Sequence, residues 1–360
     1  MVDHSSPPRP PLSTASLIAR LAGIGAVVAV VAGAFAYVNG TLDPQRLRPK
    51  TLVNALETNN GVHPGFRRNH AKGVCVAGYF ESSTEARAYS NAQVFSEAKT
   101  PIIGRFALPS GNPYAPDSSV PIRSFAVQFS QANGQQWRTG MNSMPVFPVG
   151  TPEAFYQLLK AGAPDPATGK PNPSSMPAFF AAHPETAPFL AWVKTAKPSA
   201  SYATETYNGI NAFYLVAADG TRQAVRWEVV PQSQDAAGDT APAGSDFLEQ
   251  DLVRRLGAGP LRWQLNMTLA NPGDPLDDAS KTWTGAHKVL NAGTLVLQSS
   301  QPQADGDCRD INFDPLILPS GIQASNDPLL AARSAAYASS YLRRAGEVSP
   351  LHSAPQESKP

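Results

Sequence analysis

One of the six histidines, His70, stands in the stretch GFRRNHAKG, with arginines before it and a lysine after. An imidazole in such a setting can ligate a metal, move protons, or do no more than cap a turn. Near the other end of the chain Arg333, Tyr337 and Arg344 lie in DPLLAARSAAYASSYLRRAG. At about 100° per residue on a helix, Tyr337 falls ~40° and Arg344 ~20° from Arg333, so a phenol and two guanidiniums share one stripe. Taken alone, an Arg–Tyr pair at this spacing is an ordinary surface contact. It acquires chemical meaning if the phenol is to ionise, because tyrosine titrates near ~10 and a metal-binding phenolate needs a neighbouring cation.

Among haem proteins a tyrosine ligand to iron marks catalases. Arg333-Ser-Ala-Ala-Tyr337, preceded by INFDPLILPSGIQASNDPLL, resembles the proximal Arg-x-x-x-Tyr helix of the catalase superfamily. Arg67-Arg-Asn-His70-Ala-Lys-Gly73, followed by VCVAGYFE, is similar to the distal signature, and RSFAVQFS resembles that family's RGFAVKF strand. The resemblance implies haem b (iron protoporphyrin IX), with Tyr337 on the iron, Arg333 beside the phenolate and His70 as distal acid–base group, not ligand. It also implies Asn142, counted back from Pro145 in GMNSMPVF, as distal asparagine, with Phe147 and Phe155 lining the haem and its channel. Arg67, Arg105 and Arg344 match the positions that bind the haem propionates, a task suited to guanidinium forks.

The chain also departs from that pattern. Where catalases carry a serine whose hydroxyl bonds the distal histidine, this sequence has Ala107, so the orientation of His70 must come from elsewhere. The glycine-to-proline spacing around Asn142 is one residue longer than in the family. The aspartate and histidine that follow the proximal tyrosine are replaced by Ser339 and Tyr341. The chain closes soon after Tyr337, which leaves no room for long dimer arms or a C-terminal helical domain, and this resembles the shorter catalase-related peroxidases.

Composition sets the wider limits. With 360 residues, net charge +1, 35 prolines, 27 glycines and 42% apolar residues, the chain reads as loop-rich and globular, and nothing suggests nucleic acid as a partner. The two cysteines, Cys75 and Cys308, are read as buried thiols, with one long-range disulfide as the alternative. Residues 1–15 read as a disordered tail and 16–38 as a transmembrane anchor or a signal segment. The run LAGIGAVVAVVAGAFAYV is uncharged and near the minimum length for a span. Ala34-Phe35-Ala36 has the form of a cleavage site, but it lies inside the run, which favours the anchor. The haem domain is then expected outside the cytoplasm, in the periplasm, or exported in soluble form if the segment is cleaved.

The elements that must position these residues follow from periodicity. A linker helix is expected within 39–60, opening at Asp43-Pro44, and a catalase-like domain over 61–348, with a disordered tail at 349–360. GVCVAGYFES, PIIGRFAL, RSFAVQFS, QQWRTG, NAFYLVAA, RQAVRWEVVP, LRWQLNMTLA and AGTLVLQS read as strands, QQWRTG as the more exposed. Together they predict an α+β fold, an antiparallel eight-stranded β-barrel with inserted helices and a C-terminal proximal haem helix. Thr151-Pro152-Glu153 predicts a capped helix, Ser245 a cap on DFLEQDLVRRLGAG, and Gly346 the stop of the last helix.

The expected activity is reduction of hydrogen peroxide, or an organic hydroperoxide, by a small organic donor, with weak catalase activity; a homo-oligomer is left open. The alternatives are a hydroperoxide-rearranging haem enzyme, a haem carrier or sensor on the same fold, and a tethered barrel binding an apolar ligand without haem.

Overall fold

The computed structural model describes residues 13–38, 47–233 and 245–347. The chain divides into two compact units, 1–48 and 49–360. In the first, α1 (Thr14–Val38) buries none of its side chains and is long and apolar enough to cross a membrane. The Asp43-Pro44 opening proposed for the next helix lies outside the described residues; that helix, α2, runs Pro49–Asn60.

The second unit is built on ten antiparallel strands: β1 (Gly73–Ser82), β2 (Thr100–Ala107), β3 (Ser124–Ser130), β4 (Gln136–Asn142), β5 (Tyr207–Asn208), β6 (Phe213–Val216), β7 (Arg222–Pro231), β8 (Leu261–Leu269), β9 (Val289–Pro302) and β10 (Ile322–Ala324). Eight of them close a barrel in the order β1-β2-β3-β4-β5-β7-β8-β9, with β9 paired back to β1. The remaining two, β6 and β10, extend outward from β7. The predicted count of eight is met with one exchange. NAFYLVAA forms β6 outside the ring, and the missing place is taken by β5, whose two residues are too few to show a period.

Inward-facing aromatic rings fill the barrel. Phe106 stacks on Phe125 at 4.3 Å and on Tyr202 at 4.9 Å, and Phe129 stacks on Trp137 at 4.5 Å. Burying a ring of this size stabilises the fold by roughly 1.5–3 kcal/mol. Strand β4 is therefore not an exposed one: Trp137, Thr139 and Met141 are buried, and Gln136, Arg138 and Gly140 look outward.

Among the described residues six α-helices pack outside the barrel: α2, α3 (Pro152–Ala161), α4 (Ser175–Ala182), α5 (Ala187–Val193), α6 (Phe247–Ala258) and α7 (Pro328–Glu347). Thr151 caps α3 as expected, its hydroxyl accepting from the Ala154 amide at 3.2 Å. Ser245 does not cap α6. The Leu248 amide instead donates to Asp117 at 2.8 Å, and Lys72 holds the other oxygen of Asp117 at 2.7 Å. Nor does Gly346 end α7, which continues to Glu347. That carboxylate accepts from the Gly65 amide at 2.8 Å and from Arg68, and Arg68 also reaches Glu57 of α2 at 2.6 Å. Both helices thus clamp the segment that leads to His70.

The cysteines are not free. Cys75 on β1 and Cys308, in the turn after β9, form a disulfide across 233 residues of sequence. The pairing of β1 with β9 opposes Cys75 to Gln301 and folds the following turn back onto β1. Only this tertiary register brings the two sulfurs together. Replacing both cysteines by serine is expected to lower stability by about 2–5 kcal/mol, read from denaturant melts of oxidised protein.

Candidate active site

The register of β2, β3 and β4 sets one wall of the site. Arg105 lies opposite Ala126 and Ala126 opposite Gly140, while Ala107 lies opposite Ser124 and Ser124 opposite Asn142. Side chains two apart on a strand share a face, so Ala107, Ser124, Ala126 and Gly140 form a flat patch of small residues on the outside of the barrel. Helix α7 faces this patch across the cavity, and its Arg333 side chain reaches Gly140. A Cβ on Gly140 would stand 3.2 Å from Arg333 Nη2 and 3.8 Å from the Tyr337 hydroxyl. The sequence puts glycine where the helix side chains come closest to the strand.

Arg333 is fixed on both branches of its guanidinium. Nη2 donates to the Gly140 carbonyl at 3.2 Å and Nη1 to Asn211 Oδ1 at 2.5 Å, and the Asn211 amide donates in turn to Asp327 at 2.7 Å. The other oxygen of Asp327 accepts from the Leu329 amide at 2.9 Å in the first turn of α7, so one carboxylate orders both the helix and the arginine. Burial raises the pKa of Asp327, while Asn211, Leu329 and the Arg333 and Arg226 charges favour its anion. The Arg333 Cζ lies 5.9 Å from the centre of the Tyr337 ring.

Three further guanidiniums gather at the cavity. Arg67 donates to the carbonyls of Cys308, Arg309 and Ile311 at 3.1, 3.1 and 2.9 Å, and Arg344 donates to Arg309. Arg105 donates to Gln303 at 3.0 Å and to the His70 carbonyl at 2.7 Å. Among the described residues none of the three forms an ion pair with a carboxylate. Burial, then the Arg105 and Arg344 charges, hold Arg67 well below the usual arginine range, and burial takes Arg105 down to about 10. Burial likewise lowers Arg344, and Asp310, which offsets the effect, lies exposed at the surface. This cluster is set up for an anionic ligand.

His70 enters from the turn after the Arg68 clamp with φ of 56°, the left-handed region that residues other than glycine rarely occupy. Its Nδ1 is sealed from solvent and has no hydrogen-bond partner. Burial, then the charges of Arg105, Arg333 and Arg67, bring its pKa down to about 3, so the ring is neutral at ordinary pH. Asn142 accepts from Ser124 at 2.6 Å; its oxygen is thereby committed, and its amide N–H groups are what it has left to offer a ligand. Phe147 and Phe155 pack at 5.4 Å from each other.

All nine residues singled out in the sequence, Arg67, His70, Arg105, Asn142, Phe147, Phe155, Arg333, Tyr337 and Arg344, line one cavity of about 390 Å³. Sequence reasoning missed Asn211, Asp327 and Gln303. Asp327 was within reach, since Asp-Pro before an apolar run marks a helix start; an asparagine and a glutamine in loops carry no such mark. Among the described residues no group of three His, Cys, Asp or Glu side chains is placed to hold a bare metal ion. The donor set instead fits haem: a phenol with a cation beside it for ferric iron, a flat floor of small side chains, and guanidiniums for two carboxylates.

The Catalase family model matches residues 43–350. The chain belongs to the catalase family. Catalase-family membership implies a haem cofactor and an oxidoreductase acting on peroxide. The chain is 39% identical over 301 residues to the catalase-related peroxidase of Synechococcus elongatus, covering 82% of this chain and 88% of that protein. It is 31% identical to the catalase-related peroxidase of Mycolicibacterium paratuberculosis, covering 83% and 96%. The catalase of Latilactobacillus sakei is 28% identical, matched over 65% of its length. A fungal catalase crystal structure superposes with a TM-score of 0.70 at 19% identity over 82% of this chain and 62% of that one, a likeness of fold.

Gly140→Val is expected to reduce haem occupancy at least about tenfold, because the added methyls must displace Arg333 and Tyr337. The ratio of Soret to protein absorbance, with circular dichroism unchanged, checks it.

Proposed function

We propose that the protein is a haem b peroxidase that reduces hydrogen peroxide, or an organic hydroperoxide, with a small organic electron donor, and that catalase activity is secondary. One arrangement carries the reading: a phenol flanked by a fixed guanidinium and an unprotonated imidazole line the same cavity, beside three arginines that lack an anion. The peroxidase emphasis is supported by the two catalase-related peroxidases, which match this chain over most of both lengths.

Bound haem would supply an iron that accepts peroxide oxygen and exchanges electrons with a donor. The remaining work falls to the chain. Tyr337 would hold the iron through its phenolate oxygen, and the Arg333 charge, fixed by Asn211 and Gly140, would keep that oxygen ionised. Arg67, Arg105 and Arg344 would bind the two propionates and so relieve their mutual repulsion. His70 would take the proton from the near oxygen of peroxide and return it to the far oxygen, so that water leaves. Because Nδ1 is sealed, the proton must pass through Nε2. Asn142 would hold peroxide by donating an amide hydrogen, and Phe147 and Phe155 would keep the approach apolar.

The haem domain is read as exported and held at the membrane by α1. An interior disulfide agrees with an oxidising compartment, since such bonds are rare in the cytosol. Cleavage at Ala34-Phe35-Ala36 would release the same domain in soluble form.

Stopped-flow mixing with hydrogen peroxide tests the assignment. His70→Ala should keep its haem and react ~10²–10⁴-fold more slowly, whereas Tyr337→Phe should lose the high-spin ferric phenolate spectrum. Wild-type reactivity in His70→Ala, or an unchanged spectrum in Tyr337→Phe, would remove the role in question. The pH profile gives a second check. Protonation takes away the accepting lone pair, and a pKa lowered to about 3 confines that loss to strong acid. The rate with peroxide should stay flat as pH falls from ~8 to ~5 and drop only below; a break at the ordinary histidine value of ~6.5 would contradict the burial-driven shift.

A further inference from the structure

We propose that Gln303 is a positioning residue for His70, acting through the backbone of the His70–Ala71 turn. The inference rests on the acid–base reading of His70.

Among the described residues nothing polar holds the ring itself. Nδ1 is without a partner, and Ala107 has no side-chain polar atom to offer one. The direction of the imidazole is therefore set by its main chain, which is in a conformation that a residue with a Cβ adopts only when its surroundings impose it. The surroundings here are few and specific. The His70 amide donates to Asn69 Oδ1 at 3.0 Å and the Ala71 amide to the Ser110 carbonyl at 2.7 Å. Arg105 Nη2 donates to the His70 carbonyl at 2.7 Å and to the Ala71 carbonyl at 3.3 Å. Gln303 completes the grip: its amide donates to the Ala71 carbonyl at 2.8 Å while its oxygen accepts from Arg105 Nε at 3.0 Å.

One side chain thus fixes both the turn and the arginine that holds the turn. The guanidinium passes so close to the next strand that a Cβ on Gly73 would fall 2.6 Å from Arg105 Cζ, so Arg105 has a single berth. A neutral amide suits this place. It satisfies Arg105 without cancelling its charge, which stays available to a carboxylate of the ligand, and it can donate at one end while accepting at the other. A glutamate could only accept. Gln303 itself belongs to the turn that follows β9, and the Cys75–Cys308 bond ties that turn to β1.

The test uses haem-loaded protein and two readouts other than turnover. Hydrogen cyanide gives its proton to the distal base as its carbon bonds to iron, so cyanide affinity reports the aim of His70. Hydrogen exchange at the Ala71 amide reports the hold on the turn. Gln303→Ala should weaken cyanide binding about tenfold and speed Ala71 exchange by a similar factor, the scale of one or two lost hydrogen bonds. Gln303→Glu, which keeps an acceptor for Arg105 and loses the donor to Ala71, should do the same and decides the matter if the alanine variant sheds haem. Unchanged cyanide affinity and unchanged Ala71 exchange in these variants, with weakened cyanide binding in His70→Ala, would overturn the inference and leave the acid–base reading standing. An unaffected His70→Ala would instead overturn the acid–base reading.

Discussion

Three guanidiniums that repel one another and, among the described residues, form no ion pair with a carboxylate are the constraint around which the site is arranged. Arg67, Arg105 and Arg344 come from a loop, a strand and the last helix, and each is fastened to backbone carbonyls or a neutral amide instead of an acid. Carbonyl oxygens fix their directions without cancelling their charge. The cost is visible in the lowered pKa of each, whose first cause is burial, and an anionic ligand would relieve it. Burial, with the charges of Arg105, Arg333 and Arg67 adding to it, likewise lowers the pKa of His70 to about 3.

Everything else keeps those charges and the two ring side chains in register. The antiparallel pairing of β2 to β4 lines up small residues on the outer face, and the aromatic stack on the inner face makes that wall rigid. Arg68 joins α2, α7 and the approach to His70, while Asp327 and Asn211 do the corresponding task for Arg333. Both walls are therefore braced by charged or polar groups, of which Arg68 and Asn211 also line the cavity and Asp327 stands behind it.

Much of this was legible in the chain, for reasons that differ by element. The long strands announced themselves by alternation, and the common face of Arg333, Tyr337 and Arg344 by helical spacing, since both depend on local geometry alone, while the meaning of that face came from the resemblance. His70 was legible only through resemblance, because a lone histidine in a turn has no period. What stayed hidden depends on contacts made across the fold. Asp117 caps a helix from 131 residues away, β5 is too short to carry a pattern, and Cys75 meets Cys308 only after β9 pairs with β1. The absence of a hydroxyl at Ala107 was readable, but its replacement by Gln303 was not, since that bond spans 232 residues.

The covalent link has a consequence for how the molecule is made. One sulfur lies in β1 and its mate beyond β9, 233 positions later, so the bond cannot form until Cys308 has been made. By then all eight barrel strands have been made, so the bond joins the strand that opens the ring to the turn beyond the strand that completes it.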